Sequence, residues 1–93
     1  MIIQMGKFGK LLNSRPTGKE VALRMFQIIN GAVEDKEIVL DFSGVEILTP
    51  SFADELIHQL KERYKENKIV KIVNAKTSTV KDVLEIIKKS YKN

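Results

Sequence analysis

The chain has no cysteine and a single histidine, His58. Without cysteine it can form no disulfide, no thiolate zinc site and no cysteine nucleophile, and nothing ties it to an oxidising compartment. His58 lies between Glu55 and Glu62, so a metal site there would need carboxylates alone to complete it. A surface histidine is the simpler interpretation, and we predict no metal and no other cofactor.

Motifs that hold phosphate or activate a serine are missing as well. Neither GxxxxGK[ST] nor GxGxxG occurs, and no serine stands in a nucleophile-elbow context. Catalysis needs several convergent groups, which this sequence does not offer. We therefore predict that the protein is not an enzyme.

Long apolar runs are also missing. No stretch approaches the roughly 18 apolar residues of a membrane span, and the opening MIIQMGKFGK is too short an apolar run for a signal peptide. With 43% apolar and 30% charged residues in 93, the composition is typical of one folded domain spanning 1–93. We expect a cytoplasmic protein with no membrane partner.

The net charge of +4 is the sum of sixteen basic and twelve acidic residues whose signs are interleaved, as in KERYKENK. This pattern is typical of solvated helix faces, and only the segment with Lys88, Lys89 and Lys92 is locally of one sign. Nucleic-acid recognition would also favour arginines or aromatics for stacking. Nucleic acid is therefore not the predicted partner, and binding through that basic segment is kept as an alternative hypothesis.

The first half of the chain predicts a strand region, a helix and a second strand. Apolar residues around Gly6 and Gly9 predict one strand or an irregular hairpin over 2–12. Thr17 and Glu20 have the spacing of a capping box, so a helix is predicted from Thr17. The run EIVLDF then predicts a central strand covered on both faces.

The second half predicts a helix, a strand and a last helix. An apolar stripe in steps of four predicts a helix from Ser51, and KIVKIV at 68–73 predicts a strand. The last stripe consists of Val80, Val83, Leu84, Ile87 and Tyr91. Thr79 with Asp82 would cap that helix. Because a helix separates the two strands, they should be parallel, and the fold class is α/β.

The run DFSGVEILTPSFADEL, residues 41–56, gathers hydroxyls at a helix start. Thr49, Pro50 and Ser51 place free backbone amides at the positive end of the helix, where an anion or phosphate can bind. The simpler interpretation is that Thr49 caps, Pro50 takes the first helical position, and Ser51 with Asp54 forms an alternative box. Both interpretations stay open at this stage.

Two further residues near this helix start are candidates. Phe52 faces either the core or a partner, and its spacing to Leu56 favours the core. Arg15, in the loop NSRPTG, could reach a carboxylate or a phosphate, although a plain surface arginine is the simpler interpretation.

Residues 41–56 resemble the hallmark of the STAS-like domains of unknown function. These are relatives of the bacterial anti-sigma-factor antagonists and of the cytoplasmic domains of sulfate transporters. LNSRPTGKE and VNAKTSTVKDVLEII agree with the same pattern. The resemblance implies a mixed sheet of about four strands, three helices packed mainly on one face, and a role in protein–protein signalling without an active site.

The resemblance also implies a partner and a switch. In classical antagonists a serine at this helix start is phosphorylated by a kinase related to histidine-kinase ATPases, and the added charge breaks their complex. Here Thr49 stands at the family's aspartate, Pro50 at the phosphorylated serine, Ser51 at the second serine and Phe52 at the glycine. Proline has no hydroxyl, so the classical switch is expected to be lost unless Thr49 or Ser51 has taken the part. Classical members also continue with another strand and helix. This sequence lacks that strand and helix, which predicts an open sheet edge.

The leading hypothesis is therefore a non-catalytic regulatory module whose protein partner, such as a kinase-like ATPase, binds at the second helix. The residues proposed for partner binding or phosphorylation are Thr49, Ser51, Phe52, Asp54, Glu55 and His58. The alternative is a nucleotide or small-anion sensor that uses the helix start at 49–52 with Arg15 or a lysine.

Overall fold

Three helices and five short strands make up the part of the chain that the structure describes. The computed structural model describes residues 1–32, 34–65 and 67–90, the last four by their backbone alone. In chain order the elements are β1 (Ile2–Gln4), a 3-10 turn (Met5–Phe8), β2 (Leu11–Leu12), α1 (Arg15–Asn30), β3 (Glu37–Asp41), β4 (Ile47–Leu48), α2 (Pro50–Tyr64), β5 (Ile69–Val73) and α3 (Ser78–Ser90). The three predicted helices are all present.

The strands form two parallel sheets. One has the order β1-β3-β5, and the other pairs β2 with β4. The parallel crossover from β3 through α2 to β5 confirms the prediction. The prediction of a single mixed sheet with about four strands is wrong in detail. Every paired strand in the described chain is separated from its partner by a helix, and such connections produce parallel pairs.

The prediction of one strand or a hairpin over residues 2–12 is wrong. The 3-10 turn divides this segment, and Gly9, with a φ of 140°, follows the turn. The two halves then join different sheets: β1 pairs with β3, and β2 pairs with β4. Both partners lie more than thirty residues along the chain, so local patterns carried no sign of them.

The three-stranded sheet buries one face under helices. Ile3 in β1 and Ile38 and Leu40 in β3 point to the buried side. On the other side Ile2 and Glu37 are exposed. The prediction that the central strand is covered on both faces is therefore wrong, since only alternate residues of β3 are fully buried. The helices pack on one face, as expected.

Two of the predicted helix caps lie a few residues from the observed ones. Ser14 caps α1, because its Oγ accepts a hydrogen bond of 3.4 Å from the amide of Thr17, so Thr17 is inside the helix. Thr77 takes the corresponding role for α3, where its Oγ1 accepts from the amide of Val80 at 3.3 Å. The Thr79–Asp82 cap is therefore wrong. The predicted stripe of α3 is buried at Val80, Val83 and Leu84. The side chain of Ile87 and all of Tyr91 lie outside the described residues.

Helices α1 and α2 approach each other closely at Gly18. A Cβ atom on Gly18 would lie 2.7 Å from the carbonyl oxygen of Phe52 and 3.2 Å from the Cβ of Glu55. At the other end of the same contact the hydroxyl of Tyr64 donates to Oδ1 of Asn30 at 2.9 Å. The first turn of α2 is therefore held against the first turns of α1.

We expect Gly18→Ala to lower the free energy of unfolding by about 1–3 kcal/mol, because the methyl group would force the helices apart. Alanine is otherwise the better helix former, so the sign of the effect reports the crowding. The matched control is Gly31→Ala at the end of α1, where the nearest atom is 3.4 Å away and φ is −74°. Urea unfolding of both variants measures the difference, and a Gly18→Ala domain as stable as the native one would contradict the close contact.

Candidate functional site at the start of the second long helix

Thr49 ties the start of α2 to the segment before α1. Its Oγ1 accepts two backbone hydrogen bonds, from the amide of Phe52 at 3.4 Å and from the amide of Ser14 at 3.2 Å. Its own amide donates to the carbonyl of Leu12 at 3.0 Å. Pro50 occupies the first turn, where its missing N–H costs nothing. The interpretation of Thr49 as a cap is confirmed.

Ser14 has an unusual backbone conformation at this junction. Its φ of 74° with a ψ of 150° lies in a region that non-glycine residues rarely adopt and that costs about 1–3 kcal/mol. The hydrogen bond to Thr49 and the cap that Ser14 forms on α1 hold it there. The entry to α1 is thus fixed against α2 by the same threonine that caps α2.

Arg15 bridges the two helices by its guanidinium. Its Nη1 lies 2.9 Å from Oδ2 of Asp54 and 3.3 Å from Oε1 of Glu55. These hydrogen bonds raise the pKa of Arg15 above its usual value. The hydrogen bond from Gln59 Nε2 to Glu55, at 2.6 Å, holds the pKa of Glu55 below its usual range, and Arg15 adds to this effect. Arg15 thus contacts carboxylates of its own chain.

The structure separates the predicted site residues by exposure. Ser51 and His58 are exposed, and Asp54 and Glu55 are half-buried at the Arg15 bridge. Phe52 is 0% exposed and lies in the core, which decides between its two predicted orientations. It therefore presents no surface to a partner in this structure, and we leave it out of the proposed contact.

Two exposed apolar residues on the strands that lead into this site were missed by the sequence analysis. Leu11 in β2 and Ile47 in β4 are paired, with side chains 63% and 46% exposed. Their neighbours Leu12 and Leu48 point inward and are buried. The dipeptides LL and IL gave no signal of this division, because it depends on a pairing between strands that are each only two residues long.

The groups needed for anion binding at this helix start are largely engaged. The amide of Phe52 bonds to Thr49 Oγ1, and the amide of Ala53 bonds to the Thr49 carbonyl at 3.1 Å. Pro50 has no N–H, and Arg15, the cation proposed for an anion contact, is held by two carboxylates. The geometry therefore gives the anion-sensing alternative little support.

Within residues 1–32, 34–65 and 67–90, no group of three or more His, Asp or Glu side chains is arranged to hold a metal ion. None of the described helices is both long enough and apolar enough to cross a bilayer.

The comparison with protein families agrees with this arrangement. A family model described as a STAS-like domain of unknown function (DUF4325) matches residues 23–83, from α1 into α3. The chain belongs to this family. No curated protein and no solved structure matches the chain significantly. The matched part of this STAS-like domain includes α2 and the whole run 41–56, whereas Ser14, Arg15 and Leu11 precede it.

We expect Thr49→Ala to lower the free energy of unfolding by about 1–2 kcal/mol, since it removes the helix cap. Loss of the bond to the strained Ser14 adds to this cost. Thr49→Ser keeps the hydroxyl and should retain most of the stability. Ser51→Ala is the matched control, and we expect it to change the free energy by less than about 0.5 kcal/mol because Ser51 is exposed. Equal losses at both positions in urea unfolding would contradict the role of Thr49.

Glu55 should make the stability of the domain depend on pH in the acid range. Its folded-state pKa is lowered, so its contribution is present above the unfolded value of about 4.3 and is lost as pH falls through the folded pKa. We expect Glu55→Gln to flatten the decline in stability between about pH 5 and pH 3. Urea midpoints at several pH values measure this slope. A variant that declines as steeply as the native domain would show that Glu55 does not contribute.

Proposed function

We propose that this STAS-like domain is a non-catalytic regulatory module that binds another protein through the start of α2. The α2-start surface consists of Leu11, Arg15, Ile47, Ser51 and Asp54. The observation that carries the proposal is the exposed apolar pair Leu11 and Ile47, which lies on the two strands that lead into α1 and α2, the helices joined by the charged Arg15–Asp54 bridge. Protein interfaces combine an apolar centre with a polar rim in this way.

The rigidity of the α2-start surface also supports the proposal. The hydrogen bonds of Thr49, the bridge from Arg15 and the close approach at Gly18 all hold the same turn of α2. A surface that is ordered before binding loses less conformational entropy on association. This geometry therefore suits the binding of a protein more than it suits the binding of a small molecule in an adaptable pocket.

We assign no reaction to the domain. His58 is exposed on α2, and the sequence has no nucleophile elbow and no phosphate-binding loop. We therefore assign Ser51 and Asp54 a role in contacting the partner, and Glu55 a role in ordering the surface by its ion pair with Arg15. None of the three is assigned a proton transfer.

A kinase-like ATPase of the histidine-kinase type is the partner class that the STAS-like resemblance suggests. Pro50 stands where the classical phosphorylated serine would be, so we propose that the classical switch is lost in this domain. Ser51 is the exposed hydroxyl beside it. A phosphate on Ser51 would add negative charge next to Asp54 and would change the α2-start surface electrostatically.

Affinity capture from a cell lysate, with and without Mg-ATP, tests the proposal when three forms of the domain are compared. We expect the native domain to retain a protein that Leu11→Glu, Ile47→Glu loses, because the double variant places two charges in the apolar centre. Leu23→Glu is the matched control, since Leu23 is an exposed apolar residue on α1. Phe52 is unsuitable for this test because its substitution would disrupt the core.

The comparison also defines the result that would contradict the proposal. If the double variant retains the same proteins as the native domain, the α2-start surface is not the contact. If the protein lost by the double variant is also lost by Leu23→Glu, the effect is not specific to that surface. Circular dichroism of each variant confirms that the fold is kept.

A further inference from the structure

β1 is an outer strand of the three-stranded sheet, and its residues line a cleft. In the described chain β1 pairs only with β3. The cleft has a volume of about 520 Å3 and is lined by Ile2, Ile3, Gln4, Lys7, Phe8 and Ile28. Most of this lining is apolar, and α1 and the 3-10 turn contribute to it together with the strand.

The backbone of β1 presents hydrogen-bonding groups to this edge. The amide of Val39 donates to the carbonyl of Met1 at 2.8 Å, and Ile2 is aligned with Val39. In a parallel ladder alternate residues bond the same neighbour, so Met1 and Ile3 face β3. The backbone groups of Ile2 and the amide of Gln4 therefore point to the outer edge.

We propose that this edge pairs with the same edge of a second copy of the chain, in an antiparallel register centred on Ile3. In that register Ile2 of each copy lies opposite Gln4 of the other. Each Gln4 amide can then donate to the Ile2 carbonyl across the two-fold axis, and the two three-stranded sheets become one of six strands. The proposal is independent of the proposed function, which uses the α2-start surface.

Self-pairing is favoured by the composition of β1. Proteins protect free sheet edges with charged residues, lysine above all. The other outer strand, β5, carries Lys71 at its centre, whereas β1 has the sequence IIQ and an Ile2 that is 68% exposed. β1 thus lacks the usual protection against a second strand.

The ends of β1 carry charges that suit an antiparallel partner. Lys7 follows the strand, and Asp35 lies beside its start, with its Oδ2 3.4 Å from the Met1 amine. An antiparallel two-fold axis brings the end of each strand towards the start of the other, so each Lys7 approaches Asp35 of the second copy. Lys36 and the Met1 amine reduce this attraction, and the edge is short. We therefore expect a weak dimer, in the micromolar to millimolar range.

Sedimentation equilibrium from micromolar to millimolar concentration tests the dimer. We expect Gln4→Pro to weaken association at least tenfold, because proline removes the outward amide. The fold should survive, since φ of Gln4 is −83° and proline is tolerated on edge strands. Ile69→Lys on β5 is the matched control and should associate like the native domain. The Leu11→Glu, Ile47→Glu variant should also dimerise normally, which separates this proposal from the proposed function.

Disulfide cross-linking tests the register, because the native chain has no cysteine. We expect Ile2→Cys, Gln4→Cys to form a covalent dimer under mild oxidation, since these positions oppose each other across the axis. Ile2→Cys alone should stay largely uncross-linked. Efficient cross-linking of that single variant would overturn the register centred on Ile3.

Two results would overturn the second copy as the occupant. One is a native domain that stays monomeric at millimolar concentration, which would leave the cleft to an extended peptide of another protein. The other is a dimer that Gln4→Pro does not weaken.

Discussion

The close contact between α1 and α2 at Gly18 sets the geometry of the whole site. Because Gly18 has no side chain, α1 lies directly against the backbone of Phe52. That distance places Arg15, at the start of α1, within reach of Asp54, and places Ser14 within reach of Thr49. The same approach buries the ring of Phe52 in the core. The order of the α2-start surface thus comes from the packing of α1 against α2 at Gly18.

Features encoded locally were predicted from the sequence, whereas features that depend on distant pairing were not. The start of α2 and its cap at Thr49 follow from hydroxyl, proline and apolar spacing within a few residues. The parallel β3–β5 pair follows from the helix between the strands. The α1 cap was misplaced by three residues because Ser14 and Thr17 both carry hydroxyls, and only the path of the chain decides between them. Leu11 and Ile47 were missed because their exposure is set by a pairing across α1.

The domain presents two separate surfaces on different elements. The α2-start surface joins β2, β4 and the ends of two helices, whereas the β1 edge belongs to the three-stranded sheet. A dimer through β1 would leave both α2-start surfaces available. Two linked surfaces bind a dimeric or repetitive partner more tightly than one, without any new contact. With weak self-association, the concentration of the domain would set the fraction of dimer and thereby the strength of partner binding.

Amide chemical shifts of the 15N-labelled domain, titrated with the protein that it captures, show whether that protein binds at the α2-start surface. Binding at the α2-start surface should give saturable shifts that cluster at 11–15, 46–51 and 54–58, with β5 unaffected. Shifts confined to β5 or to the far end of α1, with residues 46–51 unchanged, would contradict it.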